Sequence, residues 1–447
     1  MLGVMADDAP IRRVARGGVA AFVIYSAGVG LAYCSQLLIA RMVGVETYGE
    51  YAYVFAWMIV LAYFSALGFD VSLLRFVPTY QAEGAWSLFR GVIQYAERRT
   101  TIVSLLVVIV GICVVLIGDL SWQLKNTFLV GFMLVPVLSL LWIRCSCVRA
   151  LGGVVSAVAP DRMVREGVLV SIVAAASIGF GLNLSARSVM AATLVGAGVG
   201  LGFASVALHT MHPQHINRYT PTYDAATWRR AALPLVIMGA AEALMNRTGV
   251  ILLGWVGDTK GAGIYSLVFN MAFVAALPRT AINTLFAPTI SGLYARKDKA
   301  MLQALVTTVT SWTLGAAGCI ALVLCVLAEP LLAWFGPGYE AGVPALRILL
   351  IGQVIVASGG SQLYVMTMTG HERSAAALLV SSTMANAVGS IILIEWFGLS
   401  GAAIGTAAAL VVWNAAMAVF LWRRLSVLPG LFAMHRVMQW KRRVSPR

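Results

Sequence analysis

The chain has 447 residues, 60% of them hydrophobic and 11% charged, and a formal net charge of +14. Its mean hydropathy is +0.86. Soluble domains carry about 25% charged residues, so the composition excludes a water-soluble globular protein and, with it, a soluble nucleic-acid-binding reading of the positive charge.

Apolar runs of about 18 or more residues recur from end to end, each long enough to cross about 30 Å of hydrocarbon. They are continuous rather than alternating, which excludes a β-barrel. The opening stretch MLGVMADDAPIRRVARGG does not read as a cleavable signal. The apolar run after it is far longer than an h-region, and no small-residue cleavage site follows. The first six expected spans are Gly17–Val43, Tyr48–Phe69, Thr100–Ile117 (with a charged extension from Phe89), Phe128–Val148, Met163–Leu182 and Val189–Leu208. A polar linker, 209–230, carries Pro213 and Pro221. The second six are Ala231–Val256, Gly263–Leu293, Leu302–Ala328, Val343–Met368, Ala375–Phe397 and Gly401–Trp422. The expected organisation is an N-terminal six-helix lobe (1–208), the linker, a C-terminal six-helix lobe (231–424) and a basic tail (425–447). The fold class is an all-α polytopic membrane protein of about twelve transmembrane helices.

Charge sets the orientation. With the N-terminus placed in the cytoplasm, 25 of the 32 Lys and Arg fall in cytoplasmic segments, whereas outer loops hold only Lys125, Arg187 and Lys260. This positive-inside asymmetry predicts a multi-pass protein of the bacterial inner membrane with both termini cytoplasmic. The basic tail is placed to meet anionic lipid headgroups.

Four arginines remain, all inside spans: Arg41, Arg247, Arg279 and Arg347. Arg41 and Arg347 lie near outer ends, where snorkelling explains them. Arg247 lies about 14 Å from the outer end of its span, and Arg279 about 24 Å into the next, directly after Pro278. Glu242 shares the span of Arg247. A charge at the bilayer centre costs roughly 2.5–3.5 kcal/mol on insertion scales. Glu242 and Arg247 are five residues apart, about 140° round the helix, and so are not an i,i+4 pair. Two readings stay open for them: buried ion pairs with other helices, or the lining of a water-filled substrate path. An excess of Arg at depth favours an anionic substrate, because a guanidinium binds phosphate oxygens bidentately.

The two halves share landmarks. MVGVETYGEYAYVF (42–55) and WVGDTKGAGIYSLVF (255–269) both join spans through VG, a polar turn, a Gly and a Tyr. LSARSVMAATLVGA (184–197) and LSGAAIGTAAALVV (399–412) repeat the pattern further on. Six spans per half is an even number, so the halves insert in the same orientation as parallel repeats, a transporter signature.

Other motifs carry less. His209, His212 and His215 have metal-like spacing, but Pro213 breaks any helix there. The six cysteines all lie in apolar runs and read as small core residues. Gly196 and Gly200 allow close helix packing. There is no G-x4-GK[ST] for ATP, no Ser/His/Asp set, and no outer loop long enough for a catalytic domain. The chain reads as a non-enzyme, with no cofactor beyond coupling to a proton or sodium gradient.

ARMVGVETYGEYAYVF (40–55), LGFDVSLLRFVP (67–78), LLGWVGDTKGAGIYSLVF (252–269), APTISGLYARKD (287–298), FGPGYEAGVPALRIL (335–349) and FGLSGAAIGTAAALVV (397–412) together resemble the polysaccharide transporter, or O-antigen flippase, branch of the multidrug/oligosaccharidyl-lipid/polysaccharide flippase superfamily. The resemblance implies two six-helix lobes around a central cavity, and a polyprenyl-pyrophosphate-linked oligosaccharide as cargo, passed to the outer leaflet by alternating access. It departs from the related multidrug extruders in having no acid between Gly17 and Val43, with only Asp70 at the cytoplasmic end of the second span. The candidate substrate residues are Arg247 and Arg279, with Arg41 and Arg75 at the two mouths. Glu242 would pair with one arginine in one state and release it in the other, or carry a coupling proton. Pro278 and Pro288 are the candidate hinges. The expected partners are the lipid-linked glycan, anionic lipids, and glycan polymerase and chain-length machinery, with no nucleic acid. A small-molecule antiporter of the same fold and a non-transporting scaffold for glycan assembly are the other readings.

Overall fold

The computed structural model describes residues 27–430 apart from 29, 213–215, 217, 281, 283–289, 291–292, 295–298, 427 and 429. Among the described residues the chain is helical, without a strand. In chain order the helices are α1 (Gly30–Val43), α2 (Val45–Ser65), α3 (Phe69–Ala82), α4 (Trp86–Ile117), α5 (Trp122–Ala150), α6 (Val154–Ala159), α7 (Arg165–Ala174) and α8 (Ala186–Met211). There follow α9 (Ala225–Trp255), α10 (Thr259–Phe273), α11 (Lys299–Val326), α12 (Ala328–Phe335), α13 (Val343–Gly359), α14 (Gln362–Met368) and α15 (Glu372–Phe420). Nine stretches among the described residues are long and apolar enough to cross a membrane. Large apolar side chains such as Ile109, Val110, Ile117 and Trp396 stand exposed on them, as lipid-facing positions do.

Each of the twelve expected spans has a helical counterpart. The eighth is described as helix to Thr280. The eleventh and twelfth merge into α15, whose 49 residues are interrupted at Gly398 (φ 54°, ψ −128°). Only glycine takes that conformation cheaply, so the connection between the two spans is a kink rather than a loop. The fifth span differs most from the expectation. It runs as α6, a π-turn over Pro160–Val164, α7 and a second π-turn over Ala175–Gly179. Polar residues start several helices. Ser121 accepts from Leu124 N at the head of α5, Ser185 and Ser188 form a capping box on α8, and Asp258 accepts from Gly261 N at 2.7 Å on α10. Each satisfies an otherwise orphan N–H.

The chain divides into two compact units, Met1–Ile39 with Leu61–Leu235, and Ala40–Val60 with Val236–Arg447. In the first, α5 touches α3, α4 and α8. Helix α8 meets the π-turned segment backbone to backbone. A methyl on Gly196 would lie 2.6 Å from the Arg165 carbonyl oxygen, and one on Gly200 2.7 Å from that of Pro160. The polar linker is docked rather than loose. Trp228 Nε1 donates to Tyr80 Oη at 2.9 Å, Thr222 N to Ser87 O at 3.1 Å, and Arg90 to Tyr219 O at 2.8 Å. Trp228 is fully buried against Tyr95.

In the second unit α13 touches α10, α11 and α15. The repeated sequence landmarks are structural counterparts here. Gly44 and Gly257 both hold positive φ (79° and 93°) at the turns into α2 and α10. Tyr51 stacks on Phe55 at 5.5 Å and Tyr265 on Phe269 at 6.1 Å. The two helices cross where both carry glycine, since a methyl on Gly263 would lie 2.6 Å from Gly49 Cα.

Candidate functional site

Helix α9 carries two of the deep charges, and its packing decides where they point. Ala241, Met245 and Gly249 form an i, i+4, i+8 stripe. The Ala241 carbonyl accepts from Thr383 Oγ1 at 3.2 Å and the Met245 carbonyl from Asn386 Nδ2 at 3.3 Å, both on α15. Gly249 takes the Tyr265 ring of α10 against its backbone. With that stripe fixed, Glu242 turns to an exposed face, and Arg247 is half-buried on another.

Arg279 follows α10 through a 3-10 step, Val274–Ala276, and is half-buried. The structure brings it into the electrostatic range of Glu242 on α9 and Tyr364 on α14. Arg247 instead acts on the hydroxyl of Tyr48 on α2, with Ser266 and Asn270 of α10 beside it. The two arginines therefore serve two polar groupings of the second unit. Tyr48 is fully buried. Tyr48 and Tyr364 are invisible to a sequence reading, because a tyrosine in an apolar run looks like any aromatic core residue.

The remaining candidates lie apart from these. Arg41 is exposed, its guanidinium 3.7 Å above the Trp334 ring of α12, a cation–π contact. Next to it, Tyr339 Oη donates to the Ala40 carbonyl at 3.0 Å. Arg75 is exposed on α3, 5.9 Å from the Phe76 ring. Pro278 lies in the short helical stretch after the 3-10 step, and Pro288 lies outside the described residues.

The sequence reading missed a buried ion network in the first unit. Arg162 and Arg165 counted as cytoplasmic loop charges there, but Arg165 is only 6% exposed and Glu166 2%. Arg165 bridges Asp161 Oδ1 at 3.1 Å and Glu166 Oε1 at 2.6 Å. Ser35 of α1 donates to Glu166, and Trp142 of α5 to Asp161. A second pair, Arg144 with Glu97 at 2.9 Å, ties α5 to α4. The acidic residues absent from the first span are thus present in the fifth. The signal was the run PDRMVRE, which places Asp161 four residues before Arg165 and Glu166 directly after it.

His212 packs edge-on against Phe89 at 5.9 Å, and His215 lies outside the described residues. Burial pushes the His212 imidazole below its usual range, the neighbouring His209 and Arg90 charges act the same way, and Glu97 opposes them. All six cysteines are free thiols, with Cys145 and Cys147 buried on α5. No group of three or more His, Cys, Asp or Glu that would hold a metal occurs among the described residues.

Comparison with known proteins matches this architecture. The chain resembles, over 92% of its length and 98% of the other's, an inward-facing multidrug resistance MATE family transporter of the MOP superfamily, with TM-score 0.74 at 13% identity. A Vibrio cholerae MATE transporter gives TM-score 0.64 at 16% identity over 93% of this chain and 98% of that one. A MOP superfamily transporter from Pyrococcus furiosus, for which the reverse polarity of its binding pocket suggests a different function, gives 0.59 at 16% identity over 92% and 95%. No curated protein matches the sequence. At these identities the structural likeness speaks for the fold alone. The family model of polysaccharide biosynthesis proteins matches residues 14–294, well over half of the chain, and the chain belongs to that family.

Proposed function

We propose that the chain is a flippase that carries a polyprenyl-pyrophosphate-linked oligosaccharide, the repeat unit of an O-antigen, capsule or exopolysaccharide, across the bacterial inner membrane by alternating access. The observation that carries this reading is the pair of deep arginines in the second unit, each set beside a tyrosine: Arg279 with Tyr364, Arg247 with Tyr48. Guanidinium and phenol are both donors, and donors suit phosphate or acidic-sugar oxygens. The family assignment supplies the glycan context. The Pyrococcus furiosus relative offers a parallel, since its reverse pocket polarity suggests a function different from that of its superfamily relatives.

In this reading Arg247 and Arg279 contact the pyrophosphate, while the polyprenyl chain stays in lipid. Glu242, within range of Arg279, exchanges that partner with the cargo phosphate or carries a coupling proton. Pro278 loosens the helix ladder next to Arg279. Arg41 and Arg75 attract the cargo at the outer and inner mouths. Both termini are cytoplasmic, the basic tail meets anionic lipid, and glycan polymerase and chain-length machinery receive the product. A cation-coupled small-molecule antiporter is the second reading, favoured by the MATE fold.

Depletion in the native host, followed by extraction of polyprenyl-linked glycans, tests it. Accumulation of complete lipid-linked oligosaccharide with loss of surface glycan is the expected result. Unchanged glycans with altered sensitivity to cationic drugs would move the assignment to the antiporter.

A further inference from the structure

The tenth expected span is two helices. Helix α13 stops at Gly359, Gly360 turns out of the helix (φ 76°, ψ −149°), and α14 starts at Gln362. Non-helical backbone at membrane depth survives only where it is buried in protein or lines a polar site. Cover for this break comes from the far end of the chain. Gly430 is buried against it: a methyl there would run into the Ser358 carbonyl oxygen and lie 3.3 Å from Gly359 Cα. Gly430 also holds positive φ (66°), so two demands that favour glycine meet on one residue.

The route from α15 to that contact is short and specific. A π-turn over Leu421–Leu425 follows the helix, and Leu421 and Leu425 are buried in one apolar core with Leu302 of α11, Val356 of α13 and Val365 of α14. Ser426 then turns the chain in the left-handed region (φ 57°, ψ 24°). A residue with a Cβ rarely takes that conformation and keeps it only where its surroundings fix it. Gln303 of α11 supplies the hold. Its amide pairs with both backbone groups of Leu428, as a neighbouring strand would: Leu428 N donates to Gln303 Oε1 at 2.8 Å, and Gln303 Nε2 donates to the Leu428 carbonyl at 2.8 Å. Gln303 Nε2 also reaches Thr307 Oγ1 at 3.2 Å, which orients the amide.

Past Leu425 the attachment described here is polar and slight: one side-chain amide and one glycine. Segments held by few contacts open locally, well before the whole unit does. We propose that the segment carrying Ser426, Leu428 and Gly430 is a releasable strap: seated, it braces the break of the tenth span against α11, and lifted, it frees that span to change shape. Lifting relieves the left-handed Ser426. It also uncovers the Ser358 carbonyl, which water or a rearranged α14 must then satisfy. Within the flippase reading the strap lies at the cytoplasmic end of the second unit and gates the movement of this span between states, but the strap itself rests on its contacts alone.

Release is read without cargo. The full chain in lipid nanodiscs is followed by amide hydrogen exchange in peptides covering 356–364 and 425–430, with Tm measured alongside. Gln303→Leu removes both bonds to Leu428 and should speed exchange about tenfold or more in the two peptides together, while Tm falls by no more than a few degrees. Gly430→Val should do the same through its collision with Ser358. Ser426→Gly removes the backbone strain and should act in the opposite sense, slowing exchange several-fold in both peptides. A gain of protection cannot come from misfolding, so this variant guards the other two. Unchanged exchange at 356–364 in Gln303→Leu, or no slowing in Ser426→Gly, would show that the break does not depend on the strap. A rise across the whole unit with a large fall in Tm would make the segment an ordinary piece of core. Any of these overturns the proposal and leaves the glycan reading standing, since that is decided by lipid-linked glycan in cells.

Discussion

Arg279 occupies a depth where a guanidinium is kept only with partners, and the structure supplies Glu242 and Tyr364. Charge-assisted hydrogen bonds contribute about 1.5–3 kcal/mol each. Arg279→Ala is therefore expected to lower glycan export on the order of tenfold or more at equal membrane abundance, with Arg279→Lys retaining part of it. Export measured in a depleted host checks this, and wild-type rates in both Arg279→Ala and Arg247→Ala would remove the arginines from the substrate path. In the first unit, Glu166→Ala leaves Arg165 short of a buried partner. Breaking a buried pair in this way costs about 3–5 kcal/mol, which should appear as a large fall in Tm, whereas Glu166→Gln keeps the hydrogen bond from Ser35 and should fall less. His212 gives a pH test. Its folded-state pKa is depressed, so the unfolded linker binds the proton first. Stability is full above the ordinary histidine pKa of about 6.5 and declines as pH falls through it toward the depressed value. Trp228 emission, read against pH, should report loosening of the linker below that point, and His212→Gln should flatten the curve. The deep arginines and Glu242 were legible because a charge in an apolar run stands out. Asp161, Arg165 and Glu166 were not, because a dense charged run beside a span reads as a loop until a fold shows that it is enclosed.

At the scale of elements, each span expected from hydropathy has a helical counterpart among the described residues, and one expected boundary, between Phe397 and Gly401, falls where α15 breaks at Gly398, but the step at Gly360 was missed. Lipid selects the average character of about twenty residues, whereas a break depends on one or two. The step at Gly360 lies inside a continuous apolar stretch and does not change the average. The π-turns around α7 leave no compositional mark either. Small residues were legible as permissive of close packing, but their partners were not. Gly196→Val and Gly200→Val each push a side chain into a carbonyl of the π-turned segment. Overpacking of this kind costs about 1–3 kcal/mol. Each should lower Tm, and the pair together by less than the sum, because they press on the same neighbouring segment. Additive losses would mean that the segment does not move as one body.

At the scale of the whole molecule, the sequence carried the fold class and the family but could not carry the cargo. Nothing in a lone chain distinguishes a lipid-linked glycan from another anion of similar size, so the prediction belongs to cells. Depletion should stall complete oligosaccharide on its lipid, and the same strain carrying Arg247→Ala should show a partial form of that defect. The internal repeat was legible as recurring words 214 positions apart, as with Gly49 and Gly263. What the words did not say is that these two glycines lie against each other. The contact is one-sided: a methyl on Gly263 would strike Gly49, whereas a methyl on Gly49 would run into the Thr259 carbonyl oxygen, so the two copies of one repeated glycine are each held by a different neighbour.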